Sequence, residues 1–128
     1  MRSRKLFLTL AALIALAVGS VALFAPALLL ASKGVASATA EVWMREVGVL
    51  LIAAGVVSLL VRGEPDSPAL RAVLLGNALI QIGLFPIEIT AYQAGTITAL
   101  SGIVPNSLLH LVLGAGFAYH AFALRTAA

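Results

Sequence analysis

Cysteine is absent from this 128-residue chain. No disulfide, thiolate nucleophile, Cys-ligated zinc or iron–sulfur cluster can form. Charge is scarce: eight Lys and Arg and five Asp and Glu make up 10% of the residues. A soluble domain normally carries about 25% charged residues. That shortfall excludes a soluble enzyme, and equally a disordered tail, which needs high charge. Histidine occurs twice, at His110 and His120. On one helix those residues lie about 15 Å apart, too far to share a metal ion. No HExxH run, nucleophile elbow or phosphate-binding loop is present, so neither metal nor cofactor is expected. The net charge of +3 comes without a basic patch interleaved with aromatics, so no nucleic-acid partner is expected.

What the chain has in quantity is apolar sequence, 62% of its residues, with a mean hydropathy of +1.10. This composition points to an all-α integral membrane protein whose main partner is the lipid bilayer. The pattern predicts a single transmembrane domain over 1–128, a four-helix up-down bundle with short connections. Four spans are expected, at about 6–30, 42–61, 69–92 and 107–124. The first run has no charge and reaches about 37 Å, more than the roughly 30 Å hydrocarbon core. Ala36-Ser37-Ala38 resembles a signal-peptide cleavage site. Signal-peptide apolar regions are only about 7–15 residues long, so a retained span is the expectation. Pro26 is expected to kink or end its outer part. The segment 62–68 reads as a tight turn, and 93–106 as a Gly/Thr/Ser-rich loop.

Six basic residues fall on one side of these spans: Arg2, Arg4, Lys5, Arg62, Arg71 and Arg125. Lys33 and Arg45 fall on the other. The positive-inside rule then predicts a multi-pass protein of the cell membrane with both termini cytoplasmic.

Polar residues inside spans are costly and normally face the protein interior. Asn77, Gln81 and Glu88 form one narrow stripe on the third span, because 100° per residue separates them by only about 20–40°. Arg45 and Glu46 open the second span, and Asn106 and His110 the fourth, at the same end as Glu88. A cluster of Arg45, Glu46, Glu88 and His110 with Gln81 beneath it is therefore expected. Glu88 and His110 are the candidates for acid/base roles. Arg45, Glu46, Asn77, Gln81 and Asn106 are the candidates for binding a substrate. The competing structural reading is helix-end ion pairing and interhelical hydrogen bonding. The glycine pairs Gly48/Gly55 and Gly76/Gly83, each seven apart, are expected at close helix contacts. Trp43, Tyr92 and Tyr119 fit an interfacial aromatic belt.

The run Glu41-x-x-x-Arg45-x-x-Gly48, then Gly55 and Arg62, with Gly76-Asn77 in the third span and His110 in the fourth, resembles the DoxX-like group. These are small four-helix bacterial membrane proteins. The resemblance covers about 42–122 and implies an inner-membrane bundle. Some members are associated with quinone-linked redox complexes, but no redox motif here carries that role over. Three functional readings stay open. The first is a bundle that binds a hydrophobic small molecule or serves as a subunit of a membrane complex. The second is a membrane enzyme of isomerase or cyclase type, with Glu88 and His110 exchanging protons. The third is a proton-coupled transporter working as a homo-oligomer.

Overall fold

The computed structural model describes residues 2–125, and they are helical almost throughout. The five helices are α1 (Arg2–Phe24), α2 (Pro26–Ser32), α3 (Ala38–Val61), α4 (Pro68–Gln93) and α5 (Leu100–Phe122). All but α2 are long and apolar enough to cross a membrane. The expected first span of 6–30 is in fact two helices. Pro26 cannot donate a backbone hydrogen bond and pushes the preceding residue out of the helical region. Ala25 accordingly sits at φ −137°, ψ 55°, and Pro26 opens α2 as its first residue.

The ends of the helices follow local chemistry. Gly34, at φ 72°, closes α2, and Val35 N donates to Leu30 O at 2.9 Å across it. Ser37 caps α3 by accepting from Ala40 N, and Ser67 caps α4 by accepting from Leu70 N, each at 3.2 Å. Pro68 takes the first position of α4, where its missing N–H costs nothing.

One expectation fails clearly: residues 100–106 are helix, not loop. Gly102 and Pro105 suggested punctuation, but each has another role or a small cost. A Cβ at Gly102 would lie 2.6 Å from the Ser32 carbonyl carbon, so glycine lets α5 press against the end of α2. Pro105 falls in the second turn of α5 and removes a single ladder bond.

The helices associate as two pairs, α1 with α3 and α4 with α5. Both pairs are antiparallel: Gly19 meets Gly48 and Gly55 meets Ala12, while Ile82 meets Gly114 and Glu88 meets Asn106. The pairs join along α1 and α5 and along α2 and α5. Among the described residues, α3 and α4 do not pack closely on each other, although they are consecutive.

The buried core sits at the end that carries the chain termini. Leu8, Leu70, Leu74, Phe117, Ala121 and Leu124 fill it, and Phe7 meets Phe117 edge to face at 5.0 Å. Polar contacts close that end. Arg4 donates to Asp66 at 2.6 Å and to Glu64 O at 2.8 Å, and Arg125 N donates to Asp66 at 3.0 Å. At the opposite end the connections are tied together, with Lys33 O accepting from Thr98 N and Ala99 N. The interior between these two ends is not filled.

Candidate functional site

A cavity of about 400 Å³ occupies that interior. Ala11, Ile14 and Val18 of α1, Leu51 of α3, and Leu113 and Phe117 of α5 supply apolar wall. At the end away from the termini the wall turns polar, with Lys33, Gln81, Glu88, Asn106 and His110, and Asn77 lies farther along α4.

Helix geometry explains why these side chains meet. Gln81 and Glu88 are seven residues apart on α4, nearly two full turns, so they point the same way. Asn106 and His110 are four apart on α5 and share a face. Because α5 runs against α4, Asn106 comes level with Glu88 and His110 with Gln81. Lys33 reaches Glu88 from the end of α2 and forms an ion pair with it. Asn106 Nδ2 donates to Glu88 Oε1 at 2.7 Å, and Ser107 Oγ donates to Oε2 at 3.3 Å. The network continues through Asn106 Nδ2 to His110 Nε2 at 3.1 Å and from His110 Nδ1 to Gln81 Oε1 at 2.6 Å. With Gln81 Oε1 as acceptor, the imidazole proton sits on Nδ1, and Nε2 accepts from Asn106. Neutral His110 satisfies both bonds.

Searches against protein-family models, curated proteins and solved structures find no match to this chain. Its chemistry is read from the site alone.

Five of the seven sequence candidates, Glu88, His110, Gln81, Asn106 and Asn77, line the cavity, and the first four share one network. Asn77 stays outside the network and donates to Val73 O of its own helix at 2.9 Å. The expected approach of Arg45 and Glu46 to Glu88 does not occur. The cavity face of α3 carries Met44, Val47, Leu51, Ala54 and Ser58, a helical i, i+3, i+4 series. Arg45 and Glu46 lie more than about 100° around the helix from the centre of that face and are exposed. Arg45 instead pairs with Glu41, one turn back, at 3.4 Å.

Two partners of Glu88, Lys33 and Ser107, were missed. A signal for Lys33 was available. Arg45 has an acidic neighbour at i−4 on its own helix, whereas Lys33 has none within reach in sequence and must look across the fold. The glycine expectation divides as well. A Cβ at Gly48 would sit 2.7 Å from Leu23 N and 2.8 Å from Gly19 O, as close helix approach requires. Around Gly76 and Gly83 nothing lies within 4 Å, so these two serve no contact among the described residues.

The hydrogen-bond inventory limits what the site can do. Glu88 accepts from three donors, and both nitrogens of His110 are engaged. Three of the roughly four acceptor positions of the Glu88 carboxylate are taken, and neutral His110 has none to spare. Three amide atoms are different: Gln81 Nε2, Asn77 Oδ1 and Asn106 Oδ1 have no partner among the described residues, and none is sealed from solvent. They are one donor group and two acceptors on residues that line the cavity.

Proposed function

We propose that this chain is a four-span up-down bundle of the cell membrane that binds a hydrophobic small molecule between its helix pairs. The observation that carries this reading is the cavity of about 400 Å³, mostly apolar in its wall with its polar side chains concentrated at one end. Ligand sites of about 300–1,000 Å³ with mostly apolar walls and a few convergent polar groups are the common form. A bundle that served only as a structural subunit would be filled throughout, and here the filling stops at the end bearing the termini. An acid/base enzyme would free its base for the substrate, whereas Glu88 is held by an ion pair and two further donors and both nitrogens of His110 are bonded. The basic residues at the terminal end support an orientation with both termini cytoplasmic. The same reading keeps the DoxX-like resemblance as a grouping by architecture.

The test is native mass spectrometry of the protein purified in mild detergent, with the bound molecule extracted afterwards. Wild-type protein should carry a discrete added mass. A Leu51→Trp variant, which fills the cavity, should carry it at least about tenfold less. If wild type carries nothing, or if Leu51→Trp retains the same mass, the binding reading fails.

A further inference from the structure

The polar end of the cavity holds one cation and one anion, and they are paired with each other. No further ionised side chain lines the cavity among the described residues. A charged head placed there would be stripped of water with no counter-charge to meet it, a cost of several kcal/mol. The unpartnered atoms at that end are instead amide groups: Gln81 Nε2 to donate and Asn106 Oδ1 to accept. Their complement is an uncharged head with both an acceptor oxygen and an O–H or N–H donor. A ligand that only accepts, such as a plain diketone, would leave the Asn106 oxygen unmet.

The length of the cavity limits the tail. It runs from Asn106 to Phe117 along α5, eleven residues or about 16 Å. That is roughly half of a 30 Å hydrocarbon core, the depth of a single leaflet. The polar end is the end away from the chain termini, so the leaflet is the one on that side.

The way in is visible from the packing. The two helix pairs are joined along α1, α2 and α5, and α3 and α4 are left apart. Val47 on α3 is 44% exposed and Ile80 on α4 is 48% exposed, yet both also line the cavity. Side chains that face the cavity and the outside at once mark its rim.

On the basis of the binding reading above, we infer that the ligand is a neutral single-chain amphiphile, of the class of monoacylglycerols and long-chain hydroxy-amides, and that it enters sideways from the bilayer between α3 and α4. Its head hydrogen-bonds to Gln81 and Asn106, and its tail lies along Leu51, Leu113 and Phe117.

Photolabelling of the full-length protein in phosphatidylcholine vesicles tests this. The probes are a diazirine-tailed monoacylglycerol and a fatty acid with the same tail, and the labelled peptides are mapped by mass spectrometry. The monoacylglycerol should label the α5 wall around Leu113 and Phe117, and unlabelled monoolein should compete it away. The fatty acid should label only outward faces. Gln81→Leu should reduce wall labelling by the monoacylglycerol about tenfold.

Because the chain has no cysteine, a Val47→Cys/Ile80→Cys pair can be bridged uniquely by a cleavable bis-maleimide. The bridge should slow wall labelling at least about tenfold, and cleaving it should restore the rate. Equal wall labelling by the fatty acid overturns the neutral head and leaves the binding reading standing. Unchanged labelling with the bridge closed overturns the lateral route. Wall labelling by neither probe overturns this inference, and absence of any bound mass in the native spectrum separately overturns the binding reading.

Discussion

Lys33 and Glu88 form an ion pair that joins the two halves of the molecule. Lys33 ends α2, and its carbonyl oxygen holds the start of α5 through Thr98 N at 3.0 Å and Ala99 N at 3.2 Å. Its ammonium group reaches Glu88 on α4. One residue thus fixes the spacing of both helices that frame the polar end of the cavity. Lys33 and Glu88 are only 16% and 12% exposed at the side chain, so water screens their attraction poorly.

Removing one partner of this pair should therefore cost more than removing both. Lys33→Met leaves the Glu88 carboxylate with two neutral donors and no counter-charge. We expect a loss of about 2–4 kcal/mol, seen as a lower Tm of the detergent-solubilised protein. The double variant Lys33→Met/Glu88→Met should recover part of that loss. A single variant as stable as wild type would show that the pair is solvated and structurally idle.

The glycines separate into two kinds, and substitution should separate them further. Gly48→Ala drives a methyl group against backbone atoms of Leu23 and Gly19, which cannot rotate away. Pushing α1 from α3 should cost about 1–3 kcal/mol. Gly76→Ala and Gly83→Ala meet nothing within 4 Å and gain helix propensity. Each should stabilise α4 by up to about 1 kcal/mol. Thermal unfolding of the three variants side by side checks the signs, and destabilisation by Gly76→Ala would reveal an unseen partner on that face.

These contrasts show which parts of the molecule were legible in advance. Apolar run length marks a span directly, so four long helices follow from the sequence. The 100° rule sets the Asn77–Gln81–Glu88 stripe before any partner is known. What one helix does to another is less legible. Arg45 and Lys33 have the same charge and lie on the same side, and the choice between them turned on Arg45 finding Glu41 on its own helix. Equal seven-residue spacings in Gly48/Gly55 and Gly76/Gly83 concealed opposite surroundings, because spacing gives a face and says nothing of what lies across from it. The cavity itself was illegible for the same reason. It exists because α3 packs on α1 and not on its neighbour α4, and composition does not choose between those partners.

Acid should loosen the end that bears the termini. The Arg4 guanidinium and the Arg125 backbone N–H hold the Asp66 carboxyl below the usual carboxylate range. A depressed folded-state value means the stabilisation is complete above the unfolded aspartate value, about pH 4. It is lost as the pH falls through the lower folded value. Asp66→Asn should remove this acid-sensitive share and be less stable than wild type at neutral pH, with the difference shrinking toward pH 3. Unfolding midpoints measured from pH 7 to pH 3 check this, and a constant gap between the two proteins would show that Asp66 contributes through something other than its charge.

His110 offers the sharpest distinction between a scaffold and a proton carrier. Its Nδ1 donates to Gln81 and its Nε2 accepts from Asn106, so it works as one donor and one acceptor in a fixed order. Glutamine carries the same pair of functions and does not titrate. His110→Gln should keep ligand binding within about threefold of wild type, a loss of under 1 kcal/mol. His110→Leu strands Gln81 Oε1 and one of the two N–H groups of Asn106 Nδ2, the other still bonding Glu88, and each unmet buried group costs about 1–3 kcal/mol. Binding should then weaken at least about tenfold, with a matching loss of Tm. If His110→Gln fails as badly as His110→Leu while folding as well as wild type, His110 acts through its proton, and the acid/base reading of the cavity replaces the binding one.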